Sequence, residues 1–333
     1  MTKVTVEIMR GTGKRRDNKP KKLPDGQVVY PGNLVDDAYE GIVAGIKACG
    51  DDVVINTSTK RDPVMPNHKY AVQFGYGRRL DSDKKHAIQN FRHNVINHQK
   101  SKGGYTFCFD GAFFKSLGIY NYWRFGLNSP LANGVFLNEN SPSDRWKKFK
   151  KQFNVPYREW SMDGKYILIC GQPDRGYSMN LQSTVELLRE WVPLIKSQTN
   201  LPIVIKPHPN GMNNAVAAAE INEFIRVTDG VEILDPHDDI IPVLEDAARM
   251  ITWNSTVAVD SVTMGIPTCS FHDMGFAYPV TDHVIDINNP TLFDRSQWLA
   301  DINYAMWKPE ELATGELWDK YKKYCADLEQ RTP

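Results

Sequence analysis

The chain has 333 residues, 41% of them hydrophobic, 24% charged and 11% aromatic. That length matches two domains of roughly 150 residues each, and the composition suits a globular protein able to bury two cores. No apolar run approaches the roughly 20 residues that span a bilayer, so no stable membrane insertion is expected. Cys49, Cys108, Cys170, Cys269 and Cys325 are scattered without a CxxC pair, which argues against a disulfide framework or a zinc site, and no metal is expected. The formal net charge is zero but unevenly divided. Residues 1–160 hold 27 Lys+Arg against 15 Asp+Glu, and residues 161–333 hold 13 against 25. A basic first half points to a polyanionic partner; the rival reading is a dipolar protein whose basic side packs on its acidic side.

Taken in chain order, Val4–Met9 reads as a strand, with no apolar h-region or cleavage site, so a cytoplasmic location is expected. Residues 10–26 (RGTGKRRDNKPKKLPDG) crowd Lys and Arg among Gly and Pro and read as a flexible loop. Asn33–Cys49 and Ser82–Lys100 read as helices, and Asp52–Asn56, Tyr70–Phe74 and Tyr105–Phe109 as strands. His93 and His98 fall on an exposed face of the second helix. Residues 128–160 read as a linker region with turns and a short basic helix.

The second half alternates more regularly. Strands are expected at Tyr166–Gly171, Pro202–Lys206, Val231–Leu234, Arg249–Trp253 and Thr268–Phe271, and helices at 180–197, 213–226, 240–247 and 255–264. Two helical stretches, about 295–306 and 309–328, close the chain. Strands alternating with helices imply βαβ units and a parallel sheet, because parallel neighbours need a crossover that covers the sheet faces. The domains are expected at 1–160 and 161–333, the second carrying the helical tail.

In such a sheet ligands bind at the carboxyl ends of the strands. Three polar segments fall there: Gly171-Gln172-Pro173-Asp174-Arg175, Lys206-Pro207-His208-Pro209 and Asn254-Ser255-Thr256. Three capping-type residues in a row exceed what a helix start needs, and the surplus hydroxyls and amides fit a phosphate. Asp260, little more than a turn onward, is placed to accept bonds from ribose hydroxyls. His208 is locked between two prolines, which suits a rigid contact to a phosphate or a developing leaving-group charge. Gln172, Arg175 and Lys206 are further candidate phosphate partners. Each also has a bland reading, as a cap or a satisfied structural residue.

His-Pro after one strand, Ser-Thr opening a later helix, then an acid and Gly265-Ile266-Pro267, resembles the donor domain of GT-B glycosyltransferases. The pattern is similar to that of families using CMP- or CDP-linked donors, among them bacterial sialyltransferases, capsule-type Kdo transferases and CDP-glycerol transferases. It covers about residues 165–270. The resemblance implies two facing Rossmann-like α/β domains with parallel sheets and C-terminal helices. It also implies phosphate contacts from His208, Ser255 and Thr256, and a nucleotide-sugar co-substrate rather than a bound cofactor. The spacing of Asp260 after Ser255 is similar to UDP-sugar enzymes as well, so CMP-, CDP- and UDP-linked donors all stand.

In that architecture the first domain takes the acceptor, and here it is the basic one. Lys14, Arg15, Arg16, Lys19, Lys21 and Lys22 crowd one segment; Arg78-Arg79, Lys84-Lys85, Lys147-Lys148 and Lys150-Lys151 add pairs, interleaved with Tyr120, Tyr122, Trp123 and Phe125. Neutralising a phosphate backbone requires such a spread, and an extruded base needs aromatic faces to stack on. The chain is also similar to phage glycosyltransferases that decorate hydroxymethylated pyrimidines in DNA, which would place it in a host cytoplasm. Asp110, closing the strand YTFCFD, is the candidate general base, with a helix cap for 112–117 as its bland reading. The alternatives are a glycosyltransferase or CDP-alcohol phosphotransferase building a cell-surface polysaccharide, and a non-catalytic DNA-binding module.

Overall fold

The structure, a computed structural model, describes residues 2–9, 21–22, 28–29, 34–58, 64–76, 87–173, 179, 182–212 and 215–331. The chain opens with β1 (Lys3–Met9), the short strands β2 (Lys21–Lys22) and β3 (Val28–Val29), and α1 (Leu34–Ala48). Next come β4 (Asp52–Ser58), β5 (Tyr70–Phe74), α2 (Ala87–Ser101), β6 (Tyr105–Gly111) and β7 (Trp123–Leu127). The middle of the chain runs α3 (Asp144–Phe153), β8 (Tyr166–Cys170), α4 (Thr184–Lys196), β9 (Ile203–Lys206), α5 (Pro209–Met212) and α6 (Ala215–Arg226). It continues with β10 (Val231–Ile233), α7 (Ile240–Glu245), β11 (Ala247–Thr252), α8 (Val257–Thr263), β12 (Thr268–Ser270) and α9 (Ser296–Tyr304). β13 (Met306–Trp307), α10 (Pro309–Leu312) and α11 (Glu316–Arg331) close it. Lys21–Lys22 pairs with Val28–Val29 as an antiparallel ladder, so that part of the expected loop is strand.

Two compact units result: Met1–Arg145 with Ala300–Pro333, and Trp146–Leu299. The expected division at 160/161 therefore moves to 145/146, and the tail beyond Ala300 packs in the first unit. The reason is visible on α1. A Cβ on Gly41 would stand 2.4 Å from Pro309 O, and one on Gly45 would stand 2.1 Å from Leu312 O, so these glycines let α10 lie against the helix backbone. Trp318 Nε1 and Lys322 Nζ both donate to Asp51 Oδ2, at 2.9 and 2.6 Å. Gly315, at φ 83°, breaks the single closing helix read from the sequence into α10 and α11. The reassignment also redraws the charge. Unit one holds 27 Lys+Arg against 21 Asp+Glu and unit two 13 against 19, so the asymmetry between the chain's halves is halved, mainly because the basic residues 146–160 (5 against 1) join the second unit and less because the tail (5 against 7) joins the first.

The first sheet has the order β13-β7-β6-β5-β1-β4. β6, β5, β1 and β4 are parallel, whereas β7 pairs antiparallel with β6 and with β13. The sheet is thus mixed where a parallel one was expected, because the short β6–β7 connection carries no crossover helix. Val4, Val6, Tyr70, Val72, Phe107 and Phe109 alternate onto one face and form a buried cluster with residues of α1 and α11. Cross-strand register puts Asn56, Glu7, Gln73 and Cys108 in one row on the opposite parity. Glu7 and Gln73 are fully buried there, and Asn56 Nδ2 donates to Glu7 Oε1 at 2.7 Å while Gln73 Nε2 donates to Arg92 O of α2 at 3.0 Å. Buried polar groups of this kind must be hydrogen-bonded.

The second sheet is parallel throughout, in the order β10-β9-β8-β11-β12. Ile167, Ile169, Ile203, Ile205 and Ile251 build its core with Leu188, Trp191 and Ile195 of α4. The strands read as near-continuous apolar runs because helices cover both faces of a parallel sheet. Among the described residues no helix is long and apolar enough to cross a membrane.

Replacing a helical glycine by alanine ordinarily stabilises by about 0.5–1 kcal/mol. Gly45→Ala reverses that sign here, costing about 1–3 kcal/mol through overpacking against Leu312 O. Urea unfolding checks it, and a midpoint at or above wild type would contradict the packing of α10 on α1.

Candidate functional site

Ligands in parallel sheets collect at the carboxyl edge where the strand order reverses. In the second sheet that point lies between β8 and β11, since β9 and β10 extend one side and β12 the other. The two strands are joined there beyond their ladder. Thr252 Oγ1 donates to Cys170 O at 3.0 Å. Gln172 Nε2 donates to Asn254 Oδ1 at 2.6 Å, and Asn254 N donates to Gln172 Oε1 at 2.8 Å. Thr184 Oγ1 donates to Gln172 O at 3.0 Å, tying α4 to the same loop. Gln172 is 9% exposed and Asn254 8%. The structure thus brings these two expected residues together, as the floor of the edge and bonded to one another.

His208 stands on the neighbouring strand end, half-buried, after Lys206-Pro207. Its carbonyl accepts Gly211 N and Met212 N at 2.8 and 3.2 Å, so the turn into α5 is wound around it. Asn210 N donates to His208 Nδ1 at 3.0 Å. A ring whose Nδ1 accepts carries its proton on Nε2 when neutral, so Nε2 is a donor. Lys206 behaves differently. At 8% exposure, it donates from Nζ to Pro236 O at 3.0 Å and Asp235 O at 3.5 Å, closing the loop after β10. A buried ammonium must satisfy its donors locally, and this one does so on carbonyls.

Ser255 and Thr256 are half-exposed, and Ser255 Oγ accepts Val257 N at 3.3 Å. The helix begins at Val257 rather than 255, so Asp260 falls in its first turn, only 2% exposed. It lies in the packed interior, not on the open edge where a ribose was expected to meet it. Arg175 lies outside the described residues, as do Lys14, Arg15, Arg16, Lys19, Arg78, Arg79, Lys84 and Lys85. Lys21 and Lys22 are placed only as members of β2.

The sequence reading passed over an aromatic and imidazole group at the same edge. The rings of Trp253 and His272 lie 5.5 Å apart, and Tyr278 stacks on His283 at 3.6 Å. His283 Nδ1 is 3.0 Å from Ser270 O, which holds the ring against the end of β12. The signal available was Trp253 and Phe271, which close two of the expected strands, and His272, which directly follows the second. Donor hydrogens, hydroxyls and aromatic faces on one rim suit a nucleotide, whose phosphates accept bonds and whose base stacks. No group of three or more His, Cys, Asp or Glu among the described residues is placed to hold a metal.

In the first unit, Asp110 closes β6. Its Oδ1 accepts Gly111 N at 2.7 Å, Arg124 Nη2 lies 3.2 Å from Oδ2, and Lys115 Nζ is 3.7 Å from Oδ1. Burial pushes this carboxyl up, but the charges of Arg124 and Lys115 and the Gly111 N–H outweigh it and hold it below its ordinary range. Arg124 is buried and also donates to Pro130 O and Gly111 O, at 2.8 and 2.9 Å. His93 and His98, read as exposed, are half-buried: His93 packs edge-on to Tyr76, and His98 Nε2 is 3.2 Å from Pro66 O.

No family model matches the chain, and no curated protein sequence does. Solved structures similar to it include Thermosulfurimonas dismutans KpsC, beta Kdo 2,7 transferase, at 14% identity over 96% of this chain and 100% of that one, with a TM-score of 0.45. The beta Kdo 2,4 transferase of the same KpsC is similar at 14% identity over 79% and 86%, with a TM-score of 0.48. Methanocaldococcus jannaschii UDP-GlcNAc 2-epimerase in complex with UDP-GlcNAc and UDP is similar at 9% identity over 97% and 99%, with a TM-score of 0.35.

Two outcomes test this geometry. Gln172→Ala leaves the Asn254 backbone N–H and side-chain oxygen without their Gln172 partners and is expected to lower stability by about 1–3 kcal/mol in urea unfolding; a neutral result would refute the floor described. Because the folded pKa of Asp110 is depressed, its contribution is present above the unfolded value of about 3.9 and lost as pH falls through the folded one. The stability gap between wild type and Asp110→Asn therefore narrows below about pH 4; a gap independent of pH would show that the carboxylate is not held ionised.

Proposed function

We propose that the chain is a glycosyltransferase that takes a nucleotide-activated sugar at the carboxyl edge of its second sheet. The observation that carries this is the fixed His208 ring: Nδ1 accepts Asn210 N, leaving Nε2 as the donor, beside the point where the strand order reverses. In sugar transfer the bond between the anomeric carbon and the phosphate oxygen breaks, and negative charge grows on the leaving nucleotide. A donor already oriented towards that charge stabilises the transition state without reorganising. Ser255 and Thr256, on the neighbouring loop, supply hydroxyls to the same phosphates. Gln172 and Asn254 join the loops after β8 and β11 to one another rather than contacting the charge. The donor base is a pyrimidine in this reading, linked as CMP, CDP or UDP.

The acceptor in this reading is a polyanion, with a hydroxymethylated pyrimidine of DNA as the leading candidate; Asp110, expected as the general base, is held ionised by Arg124 and Lys115 and is a weak proton acceptor as it stands. Exposed lysines on α3 favour a polyanion. Lys147, Lys148 and Lys151 stand opposite the buried Trp146, Phe149 and Phe153, and no carboxylate pairs with them among the described residues. These lysines lie in the second unit rather than in the first domain expected to take the acceptor, and a cluster of like charge of this kind suits a surface that meets phosphates.

A thermal-shift series with CMP, CDP, UDP and their sugars tests the donor reading. A saturating donor stabilises the wild type by about 2.7 kcal/mol at 100 times its Kd. His208→Ala, with its fold checked by circular dichroism, is expected to lose most of that shift and the transfer activity. No nucleotide shift in the wild type, or full activity in His208→Ala, would sink the proposal. Mass analysis of hydroxymethylated DNA incubated with the best donor then separates the acceptors. An unmodified DNA product beside a glycosylated polysaccharide would move the reading to a cell-surface polymer.

A further inference from the structure

The first sheet has its own point of reversal, between β1 and β5, because β4 extends one side of β1 and β5 with β6 the other. Tyr39 of α1 closes the floor there: its hydroxyl donates to Glu7 O at 2.7 Å and accepts Phe74 N at 3.1 Å. Above this floor α2 delivers a guanidinium. Arg92 Cζ lies 5.1 Å from the centre of the Phe74 ring. Its Nη1 is 3.0 Å from where a Cβ on Gly75 would stand, and Gly75, at φ +73°, has none.

Three cations surround Asp110, and they are not equivalent. Arg124 and Lys115 form its ion pairs, at 3.2 and 3.7 Å. Arg92 acts on it only from a distance, and Nε of Arg92 is buried with no hydrogen-bond partner among the described residues. The side chain forms no ion pair among them either, although Lys69, Lys165, Arg145 and Arg158 all do. Buried guanidinium groups are ordinarily paired, because burial costs several kcal/mol that only hydrogen bonds and opposite charge offset. Among the described residues Asp110 pairs with Arg124 and Lys115 and not with Arg92. Burial accordingly lowers the pKa of Arg92, with Tyr39 and Asp110 opposing it.

We propose that Arg92 marks an oxyanion-binding site at the carboxyl edge of the first sheet, which takes a phosphoryl or carboxylate group of a ligand. A guanidinium presents a planar fork to two oxygens at once, and the Phe74 face keeps that fork flat. The position follows the same rule as the edge of the second sheet: the reversal point is where backbone and side chains diverge enough to admit a ligand. The site lies within the first unit and does not rest on the donor reading.

The experiment uses the full chain in the His208→Ala background, which removes the other anion-binding candidate, and titrates inorganic phosphate and acetate by calorimetry at matched ionic strength. At least one of the two is expected to bind, and the stronger identifies the group. Arg92→Met is expected to lose that binding at least about tenfold, while its thermal midpoint without anion stays level or rises, since a half-buried cation with no ion pair among the described residues has gone. Arg92→Lys, which keeps the charge without the fork, is expected to bind about tenfold more weakly than arginine and serves if the Met variant does not fold. Absence of both titrations in the parent, or unchanged affinity in either Arg92 variant, would overturn the site.

Discussion

A single reciprocal amide pair holds the edge of the second sheet on which the proposed chemistry depends. Strands β8 and β11 part company at Cys170 and Thr252, and past that point the backbone ladder no longer joins them. Gln172 and Asn254 replace it with two bonds inside the protein, one between the side chains at 2.6 Å and one from the Asn254 backbone N–H to Gln172 Oε1 at 2.8 Å. Because both amides are buried, each would be costly without the other. The loop that presents Ser255-Thr256 thereby starts from a rigid base shared with the loop after β8, next to the strand end that carries His208. A site made of donors on separate loops needs that rigidity, since a small displacement weakens an oriented hydrogen bond severely.

The first unit solves the same problem with different chemistry. A phenol hydroxyl, Tyr39, bridges Glu7 and Phe74 where β1 and β5 diverge. Around it lie charges rather than amides: Asp110 answered by Arg124 and Lys115, and Arg92 outside that pairing. Two sheets of one chain therefore offer neutral donors at one reversal point and net positive charge at the other. The polar row Asn56, Glu7 and Gln73 beneath α2 belongs to the same economy, since an apolar face there would leave the edge residues without partners.

Much of the second unit was legible along the chain. The runs YILIC, PIVIK and RMIT are largely apolar, with polar residues only at their ends, because a parallel sheet is covered on both faces, and that pattern is local. The loops after them were also legible, since a polar stretch following a buried strand lands at its carboxyl end whatever the crossover. Lys206 and Asp260 were not. A lysine closing a strand faces a phosphate or a neighbouring carbonyl depending on where the loop after β10 comes to lie, and here it meets Asp235 and Pro236. Asp260 turned inward because α8 starts later than the Asn-Ser-Thr run implies, rotating every residue after it.

The amino-acid sequence by itself determined the α/β class, the parallel second sheet and the three polar loops at its edge, because each depends on periodicity within about ten residues. Tertiary structure alone decided that the closing helices pack in the first unit, through Gly41, Gly45 and Asp51, and that the basic helix α3 belongs with the second. It also decided that Arg92, Arg124 and Lys115 gather around Asp110 from a helix, a strand and a turn. Pairings of that kind join residues far apart in the chain, and no local pattern encodes which of three cations will find a carboxylate and which will be left over.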